Sequence, residues 1–450
     1  MKQRLAKIKA KLGPLWWYSG LLLIFSQVGN VINFYIGSVL AVDHVDQDLL
    51  GAIEPLTKLA IFITLPQAIL LRTYTKFINV CHTKQEDGKI KSMLRDLFLI
   101  TLVLSLATIF VLWLSRDYIT TRLAFSGPYI LFLVGAISIL TCWAPIVMGA
   151  SMGVMKFKRV ILKHVIGPVA RLIVILLTLK KWQLTGYLFA HFTNLFASTI
   201  FLMGGLGTYL HKSLKAVSYN EHYKEMLQFM KPMAVFTILL SVQGLVEPWV
   251  IRQRMLDDSA GYFVISRFGI IPMVFVQAIS PFVFPIVSRR HERGEATSPV
   301  LIQALAMMIF IGLGSSIVLG LFGEELLSLR PSWSAYTPYA PLLFQVCMIS
   351  VLTVVINTHV AHETACRRFS CLWYLTILIL LEVGILYGLN KWDQLRTFVG
   401  PETHAWVEKN IANEFNFTIW FMLLTRLLIV FFAFMQVFAL WRREHQPRAR

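Results

Sequence analysis

The chain has 450 residues, of which 56% are hydrophobic and 15% are charged, a composition too apolar for an ordinary soluble domain. Its net charge of +18 comes without a basic soluble domain, so we expect contact with anionic membrane lipids and no binding of nucleic acid. Five scattered cysteines lack metal-ligand spacing, so neither a metal site nor a cofactor is predicted. Cys81 and Cys366 are expected to face the reducing side of the membrane, which argues against a disulfide framework.

Long apolar runs predict membrane-spanning helices, because about 20 residues of helix cross a hydrocarbon core of about 30 Å. The Lys-rich start resembles the first region of a signal peptide, but the apolar run after it is too long for a signal core and predicts a retained helix. Twelve spans are predicted, in this order: Leu15–Leu40, Leu49–Arg72, Leu94–Leu114, Tyr129–Gly149, His164–Leu179, Leu184–Leu206, Met233–Ile251, Ala260–Val287, Val300–Phe322, Tyr339–His359, Leu372–Leu389 and Phe415–Leu440.

The orientation of the spans follows from the charges of the loops between them. With both termini in the cytoplasm, the inner loops and tails hold 25 of the 42 Lys and Arg residues, and the outer loops hold 10. This is the positive-inside bias of membrane proteins. We therefore expect a multi-pass membrane protein with both termini in the cytoplasm.

The sequence repeats itself weakly with a shift of about 210 residues. Under that shift the inner loop Met155–Lys158 falls on Ala365–Arg368, and the loop around Glu86 is similar to the loop around Glu292. Since each half holds six spans, an even number, both halves enter the membrane from the same side. The predicted fold is an all-α polytopic membrane protein of about 12 transmembrane helices, arranged as two parallel-repeat six-helix lobes (1–214 and 215–450) around a central cationic cavity.

Four cations lie inside apolar spans: Lys58, Arg171, Arg267 and Arg426. A charge at bilayer depth costs at least about 2.5–3.5 kcal/mol on insertion scales, so it usually faces a wet cavity and a partner. Because these residues are positive, we expect an anionic cargo. A diphosphate fits best, since arginine forks match phosphate oxygens and lysine adds a mobile charge.

Each of these cations also has a purely structural interpretation. Lys58 lies four residues from Glu54 on one helix face, which suits a local ion pair. Arg267 is near enough to the outer surface to extend its charge into water. Arg171 falls within one residue of Glu382 under the repeat, which suits a buried pair between the two halves.

Arg426 has no carboxylate within one helical turn, which favours a functional role. Glu247 joins Glu54 and Glu382 as an acidic residue near the expected interface between the lobes, suited to supporting the cations or to ion coupling. The pair Pro281 and Pro285 interrupts a span and predicts a hinge, because proline frees a carbonyl and permits bending.

Several motifs of enzymes are absent from the sequence. There is no G-x-x-x-x-G-K-[ST] phosphate loop, no H-E-x-x-H and no paired-cysteine metal pattern. The longest outer loop, Asn390–Glu414, offers no catalytic constellation. We therefore expect a protein that is not an enzyme, with a membrane polymerase or ligase as the competing class.

Four segments carry a resemblance to polysaccharide flippases of the multidrug/oligosaccharidyl-lipid/polysaccharide exporter superfamily. Tyr223–Pro232 is similar to the lead into that family's helix 7, and Gly261–Phe263 to its G-x-Y entry to helix 8. Pro281–Ser288 resembles its apolar-Pro-x-x-S exit, and Gly153–Arg159 resembles its loop after helix 4. The family has an acidic-basic pair late in helix 7, where this chain has Glu247 followed by Arg252 as the next cation.

The resemblance implies a carrier of undecaprenyl-diphosphate-linked oligosaccharide from the inner to the outer leaflet of a bacterial plasma (inner) membrane by alternating access. Its partners would be the lipid-linked anionic glycan and polysaccharide assembly proteins. The alternative is an H⁺- or Na⁺-coupled multidrug-type antiporter of the same superfamily. By resemblance to that subfamily, such an antiporter is expected to have an acidic residue in helix 1. Leu15–Leu40 has none, so Glu54 or Glu382 would have to serve.

Overall fold

The computed structural model describes residues 24–63, 65–123, 128–211, 215–220, 223–277, 279–280, 283, 286–287, 290–291, 294–366, 368–390 and 414–445. These residues form helices and turns, with no strand among them, so the prediction of an all-α fold is confirmed. The long helices, in chain order, are α1 (Ile24–His44), α2 (Ile53–Ile63), α3 (Leu65–Thr83), α4 (Asp87–Leu114), α5 (Pro128–Gly153), α6 (Phe157–Met203), α7 (Tyr223–Arg254), α8 (Ser259–Gln277), α9 (Ser298–Leu321), α10 (Leu343–Ala365), α11 (Leu372–Asn390) and α12 (Glu414–His445).

Within the described ranges, nine helices are long and apolar enough to cross a membrane. One of the nine, α6, covers two predicted spans, and the apolar stretch of α11 is shorter than 18 residues. The predicted span Leu49–Arg72 is divided between the shorter helices α2 and α3. Large apolar side chains such as Leu177 and Phe310 are exposed on the helix surfaces, as suits lipid rather than water. The chain is therefore a multi-pass membrane protein.

Helix α6 contains a kink at Gln183, in the gap between the predicted spans His164–Leu179 and Leu184–Leu206. The backbone of Gln183 has φ 44° and ψ −121°, so two helices are joined there. Gly186 lies against the turn before it, since a Cβ added to Gly186 would come within 2.8 Å of the Thr178 carbonyl oxygen. The connection between predicted spans 5 and 6 is consequently a very tight turn.

The chain divides into two compact units. Unit 1 comprises Met1–Asp46 and Leu56–Thr237, and unit 2 comprises Gln47–Pro55 and Ile238–Arg450. In unit 1, α5 packs against α3, α4 and α6, while in unit 2, α10 packs against α8, α9 and α12. Both α5 and α10 are the fourth predicted span of their half. The predicted lobe boundary at residue 214 stays a prediction.

Four loops at the expected inner ends share one backbone hydrogen bond. The amide N–H groups of Glu86 and Lys156 in unit 1, and of Glu295 and Arg368 in unit 2, each donate to a carbonyl five residues earlier at 2.8–2.9 Å. This is the hydrogen bond of the Schellman motif, which ends a helix with a left-handed residue. Glu86 and Glu295 are 209 residues apart, and Lys156 and Arg368 are 212 apart, so the repeat is visible in the backbone.

The segment that leads from α6 to α7 is bound to unit 1. The amide of Val217 donates to the carbonyl of Gly88 at 3.1 Å, and the phenol of Tyr219 donates to Asp96 Oδ2 at 3.1 Å. Burial raises the pKa of Tyr219, which keeps its proton available for that bond. Gly88 is required here, because a Cβ would lie 2.7 Å from the carbonyl oxygen of Lys215.

Candidate functional site

Arg426 on α12 binds two carboxylates inside unit 2. Its Nη1 donates to both oxygens of Glu382 on α11, at 2.6 and 2.7 Å, and its Nη2 donates to Glu247 on α7. All three residues are almost completely buried, with exposures of 2% for Arg426, 0% for Glu382 and 6% for Glu247. With both carboxylates ionised, this group would carry a net charge of −1.

Polar neighbours complete the hydrogen bonding of Glu382. Gln243 Nε2 and Thr425 Oγ1 both donate to Glu382 Oε2, at 2.6 and 2.8 Å. Gln243 lies one turn before Glu247 on the same helix, so α7 presents both side chains to the arginine group. A buried carboxylate with this many donors is well compensated for its loss of water. We call Arg426, Glu247, Glu382 and Gln243 the Arg426 cluster.

A second ion pair lies in unit 2 between Arg267 and Glu54. Arg267 Nη2 donates to Glu54 Oε2 at 2.7 Å, and the hydroxyl of Ser266 donates to the same oxygen at 2.8 Å. The guanidinium carbon of Arg267 also lies 4.6 Å from the ring centre of Phe263. The side chains of the pair are 20% and 12% exposed, so they are partly accessible.

Tyr262 connects the two charged groups of unit 2. Its buried phenol interacts electrostatically with Glu54 and Arg267 and also with Glu247 and Arg426. Electrostatic interactions of this kind are strong only where water is scarce. Tyr262 therefore lies within electrostatic range of both groups.

Arg171 in unit 1 is buried without a carboxylate partner in the described chain. It is 6% exposed, and its Nη1 donates to Asn33 Oδ1 at 2.8 Å. Its guanidinium carbon lies 4.9 Å from the ring centre of Tyr187, and its Nε makes no hydrogen bond. Asn33 comes just before the π-helical turn Ile36–Leu40 of α1, a kind of irregularity that is frequent at functional sites.

Lys58 on α2 is half-buried and makes no hydrogen bond or ion pair with any residue that the structure describes. The local pair with Glu54 that the spacing suggested is not formed, because Glu54 binds Arg267 instead. Lys58 and Arg171 are thus two cations of unit 1 without a counter-ion in the described ranges.

Three further expectations can be compared with these contacts. The described partners of Arg171 are Asn33 and Tyr187, and those of Glu382 include Arg426, so each is engaged within its own unit. Arg426, which has no carboxylate within a helical turn, takes its carboxylates from two other helices. Arg252 donates to Ser259 and to the Asp48 carbonyl, so the cation paired with Glu247 is Arg426 and not Arg252.

Some of the predicted site residues lie outside the described residues, and some residues of the site were not predicted from the sequence. The predicted hinge residues Pro281 and Pro285 lie outside the described residues. Among the residues that are described, no group of three His, Cys, Asp or Glu side chains is arranged to hold a metal ion. Gln243, Asn33 and Tyr187 were not predicted, although the spacing of four between Gln243 and Glu247 would have indicated a shared face.

No family model matches the sequence, and no curated protein matches it. The fold, in contrast, is that of transporters of the MOP superfamily, which is the superfamily whose motifs the sequence resembles. One solved structure with this fold is a multidrug resistance MATE family transporter in an inward-facing conformation. It has a TM-score of 0.69 and 14% identity, over 95% of this chain and 100% of that one.

Two more solved structures have a similar fold. A MOP superfamily transporter from Pyrococcus furiosus has a TM-score of 0.63 and 14% identity, over 94% of this chain and 96% of its own. The lipid II flippase MurJ, in an inward closed conformation, has a TM-score of 0.60 and 14% identity, over 95% and 94%. At these identities the likeness concerns the fold.

Proposed function

We propose that the protein is a flippase that carries undecaprenyl-diphosphate-linked oligosaccharide from the inner to the outer leaflet of a bacterial plasma membrane by alternating access. One observation carries this proposal: the buried guanidinium of Arg171 has an amide and an aromatic partner but no carboxylate in the described chain. A buried charge without a counter-ion costs several kcal/mol. An anionic cargo would supply that counter-ion.

The cations differ in what each would give up to bind an anionic cargo. Lys58 and Arg171 in unit 1 have no described carboxylate, so neither would have to release an acid to bind a phosphate oxygen. In unit 2, Arg267 would bind a phosphate oxygen in exchange for Glu54, which its partial exposure permits. Arg426 binds two carboxylates already, so its contribution to the cargo is the weakest of the four.

Release of the cargo follows from the same arrangement. Arginine and lysine side chains replace the water that solvates phosphate, so the diphosphate crosses without bare charge in lipid. When Glu54 returns to Arg267, one of the cargo's contacts is lost. Several moderate contacts of this kind let the cargo leave on the other side. Polysaccharide assembly proteins would receive it there.

Deletion of the gene tests this function directly. We expect loss of surface polysaccharide together with accumulation of lipid-linked repeat units on the cytoplasmic side. The deletion strain is then complemented with wild type, Arg171→Met or Arg171→Lys. Arg171→Met should fail to restore the polymer, whereas Arg171→Lys, which keeps the charge, should restore part of it. Normal polysaccharide in the deletion strain, with increased drug sensitivity, would contradict the flippase.

Protein stability separates a functional Arg171 from a structural one. We expect Arg171→Met to unfold at the wild-type temperature or above it. Burying the charge of Arg171 destabilises the fold by more than its one amide hydrogen bond and one ring contact stabilise it. Loss of transport in a protein of full stability would place Arg171 in the cargo path. Marked destabilisation would instead show that Arg171 holds unit 1 together.

A second candidate is an H⁺- or Na⁺-coupled antiporter, favoured by the excess carboxylate of the Arg426 cluster. Two buried carboxylates share one guanidinium, and a proton or a small cation would balance the group. In proteoliposomes this candidate predicts drug efflux that depends on the ion gradient and loses that dependence in Glu247→Gln. Arg171→Met should then transport a cationic drug normally.

A further inference from the structure

A polar cavity of about 700 Å³ lies at one end of unit 2. It is formed where α10 and α12 end and where α9 and α11 begin. The positive-inside bias predicts that this end faces the cytoplasm. The cavity shares no residue with the Arg426 cluster or with the Arg267–Glu54 pair, and it is independent of the cargo proposed above.

Three carboxylates line the cavity: Glu295 is exposed and lies 3.9 Å from Arg290 Nε, and the other two are held by hydrogen bonds. Glu444 on α12 accepts hydrogen bonds from the backbone N–H and hydroxyl groups of both Thr297 and Ser298, which begin α9. Glu363 on α10 accepts from Gln436 Nε2 at 2.8 Å and from Ser370 Oγ at 3.2 Å. These two acids therefore fix the ends of three helices to one another and have little capacity left for a cation.

The arginines of the cavity, in contrast, are uncommitted. Arg368 and Arg443 both line it and are exposed, and neither guanidinium makes a hydrogen bond or an ion pair within the described part of the chain. Leu440 and Ala439 form an apolar wall beside them. Trp441 follows directly, as is typical of the boundary between the hydrocarbon core and water.

We infer that this cavity binds the phosphate headgroup of an anionic inner-leaflet phospholipid, with Arg368 and Arg443 on the phosphate and Leu440 beside the first acyl carbons. Arginine forks hold phosphate oxygens in pairs. Basic pockets between membrane helices on the cytoplasmic side are suited to such headgroups. The volume is within the range of small-molecule sites, and the polar and apolar walls match the two ends of a headgroup.

Occupancy of the cavity would connect α12 to the loop that begins α11. Arg443 belongs to α12 and Arg368 to the turn after α10, so one phosphate would bridge two elements that already pack together and are joined by the hydrogen bond from Gln436 to Glu363. Bound lipid should therefore raise the stability of the protein in proportion to its affinity, by mass action. Free inorganic phosphate offers the same oxygens without the acyl chains.

The experiment uses the full chain in nanodiscs of phosphatidylcholine alone or of phosphatidylcholine and phosphatidylglycerol in equal parts. Retained lipid is counted by native mass spectrometry, and the unfolding temperature is measured in each composition. We expect selective retention of phosphatidylglycerol and a higher unfolding temperature in its presence. Arg368→Gln and Arg443→Gln should each weaken retention about tenfold, which corresponds to about 1.4 kcal/mol.

Arg442→Gln is the matched control, because Arg442 is exposed on the same helix but lies over the ring of Phe438 and outside the cavity lining. It should retain phosphatidylglycerol within about twofold of wild type. Equal loss in Arg442→Gln and Arg443→Gln would overturn the site, since general surface charge would then explain retention. Equal retention of both lipids would overturn it too. Stabilisation by inorganic phosphate equal to that by phosphatidylglycerol would overturn a lipid as the ligand.

Discussion

Replacing Arg426 by methionine tests whether the Arg426 cluster is held together by its charges. The substitution keeps a long apolar side chain but leaves Glu247 and Glu382 buried, adjacent and without their cation. Removing one partner of a buried ion pair costs about 3–5 kcal/mol. The upper part of this range applies here, because the side chains of Arg426 and Glu382 are only 3% and 0% exposed and two bonds of 2.6 and 2.7 Å join them.

For a unit of about 150–250 residues, 1 kcal/mol corresponds to about 2–4 °C, so a cost of about 4–5 kcal/mol should lower the unfolding temperature by about 8–20 °C. The assay heats the detergent-solubilised protein and measures the folded fraction by size-exclusion chromatography. Arg442→Met, an exposed change on the same helix, should shift the temperature by no more than about 2 °C.

A triple variant separates charge from shape. Combining Arg426→Met with Glu247→Gln and Glu382→Gln removes all the charges of the cluster and leaves amides that can bond to each other and to Gln243. It should recover most of the lost stability. Two results would contradict electrostatic stabilisation of this cluster. In one, the triple variant unfolds at the same temperature as Arg426→Met; in the other, Arg426→Met unfolds at the wild-type temperature.

Three further predictions concern single positions. Glu382→Gln should lower the unfolding temperature more than Glu247→Gln, since Glu382 accepts from Gln243 and Thr425 as well as from the arginine; the reverse order in the same heating assay would contradict the hydrogen-bond count. Met155→Gly should stabilise the protein by about 0.5–1 kcal/mol, because Met155 is left-handed with φ 56°; a loss of stability in denaturant titration would show that its side chain matters more than its backbone. Gly88→Val should displace the segment at Lys215 and accelerate tryptic cleavage there, and unchanged cleavage would mean that the contact is easily relaxed.

Hydropathy located the spans because a membrane helix needs a run of apolar residues, whatever its neighbours are. The internal repeat could also be detected from the sequence, since the Schellman loops at Glu86 and Glu295 have similar local sequences. The sequence nevertheless paired Glu86 with Glu292, whereas the backbone pairs it with Glu295. A short gap in one loop moves the alignment without changing the geometry.

The partners of the buried charges could not be predicted in the same way. Arg426 meets Glu247 and Glu382 from 179 and 44 residues away, and no local spacing signals either contact. Glu54 illustrates the reverse error: Lys58 stands at the ideal helical distance, but the carboxylate binds Arg267, 213 residues later. Local propensity for an ion pair is worth only about 0.5 kcal/mol, so packing decides the choice.

The distance along the chain between Glu247 and Arg426 also bears on how the protein is made. Glu247 is synthesised 179 residues before Arg426, which is roughly 10–40 s at about 5–20 residues per second. Throughout that interval Glu247, and later Glu382, are without the cation that they bind in the folded protein. Helix α12 brings that cation and so completes the Arg426 cluster. A chain that lost α12 would expose two unmatched carboxylates to lipid and would be a natural substrate for membrane quality control.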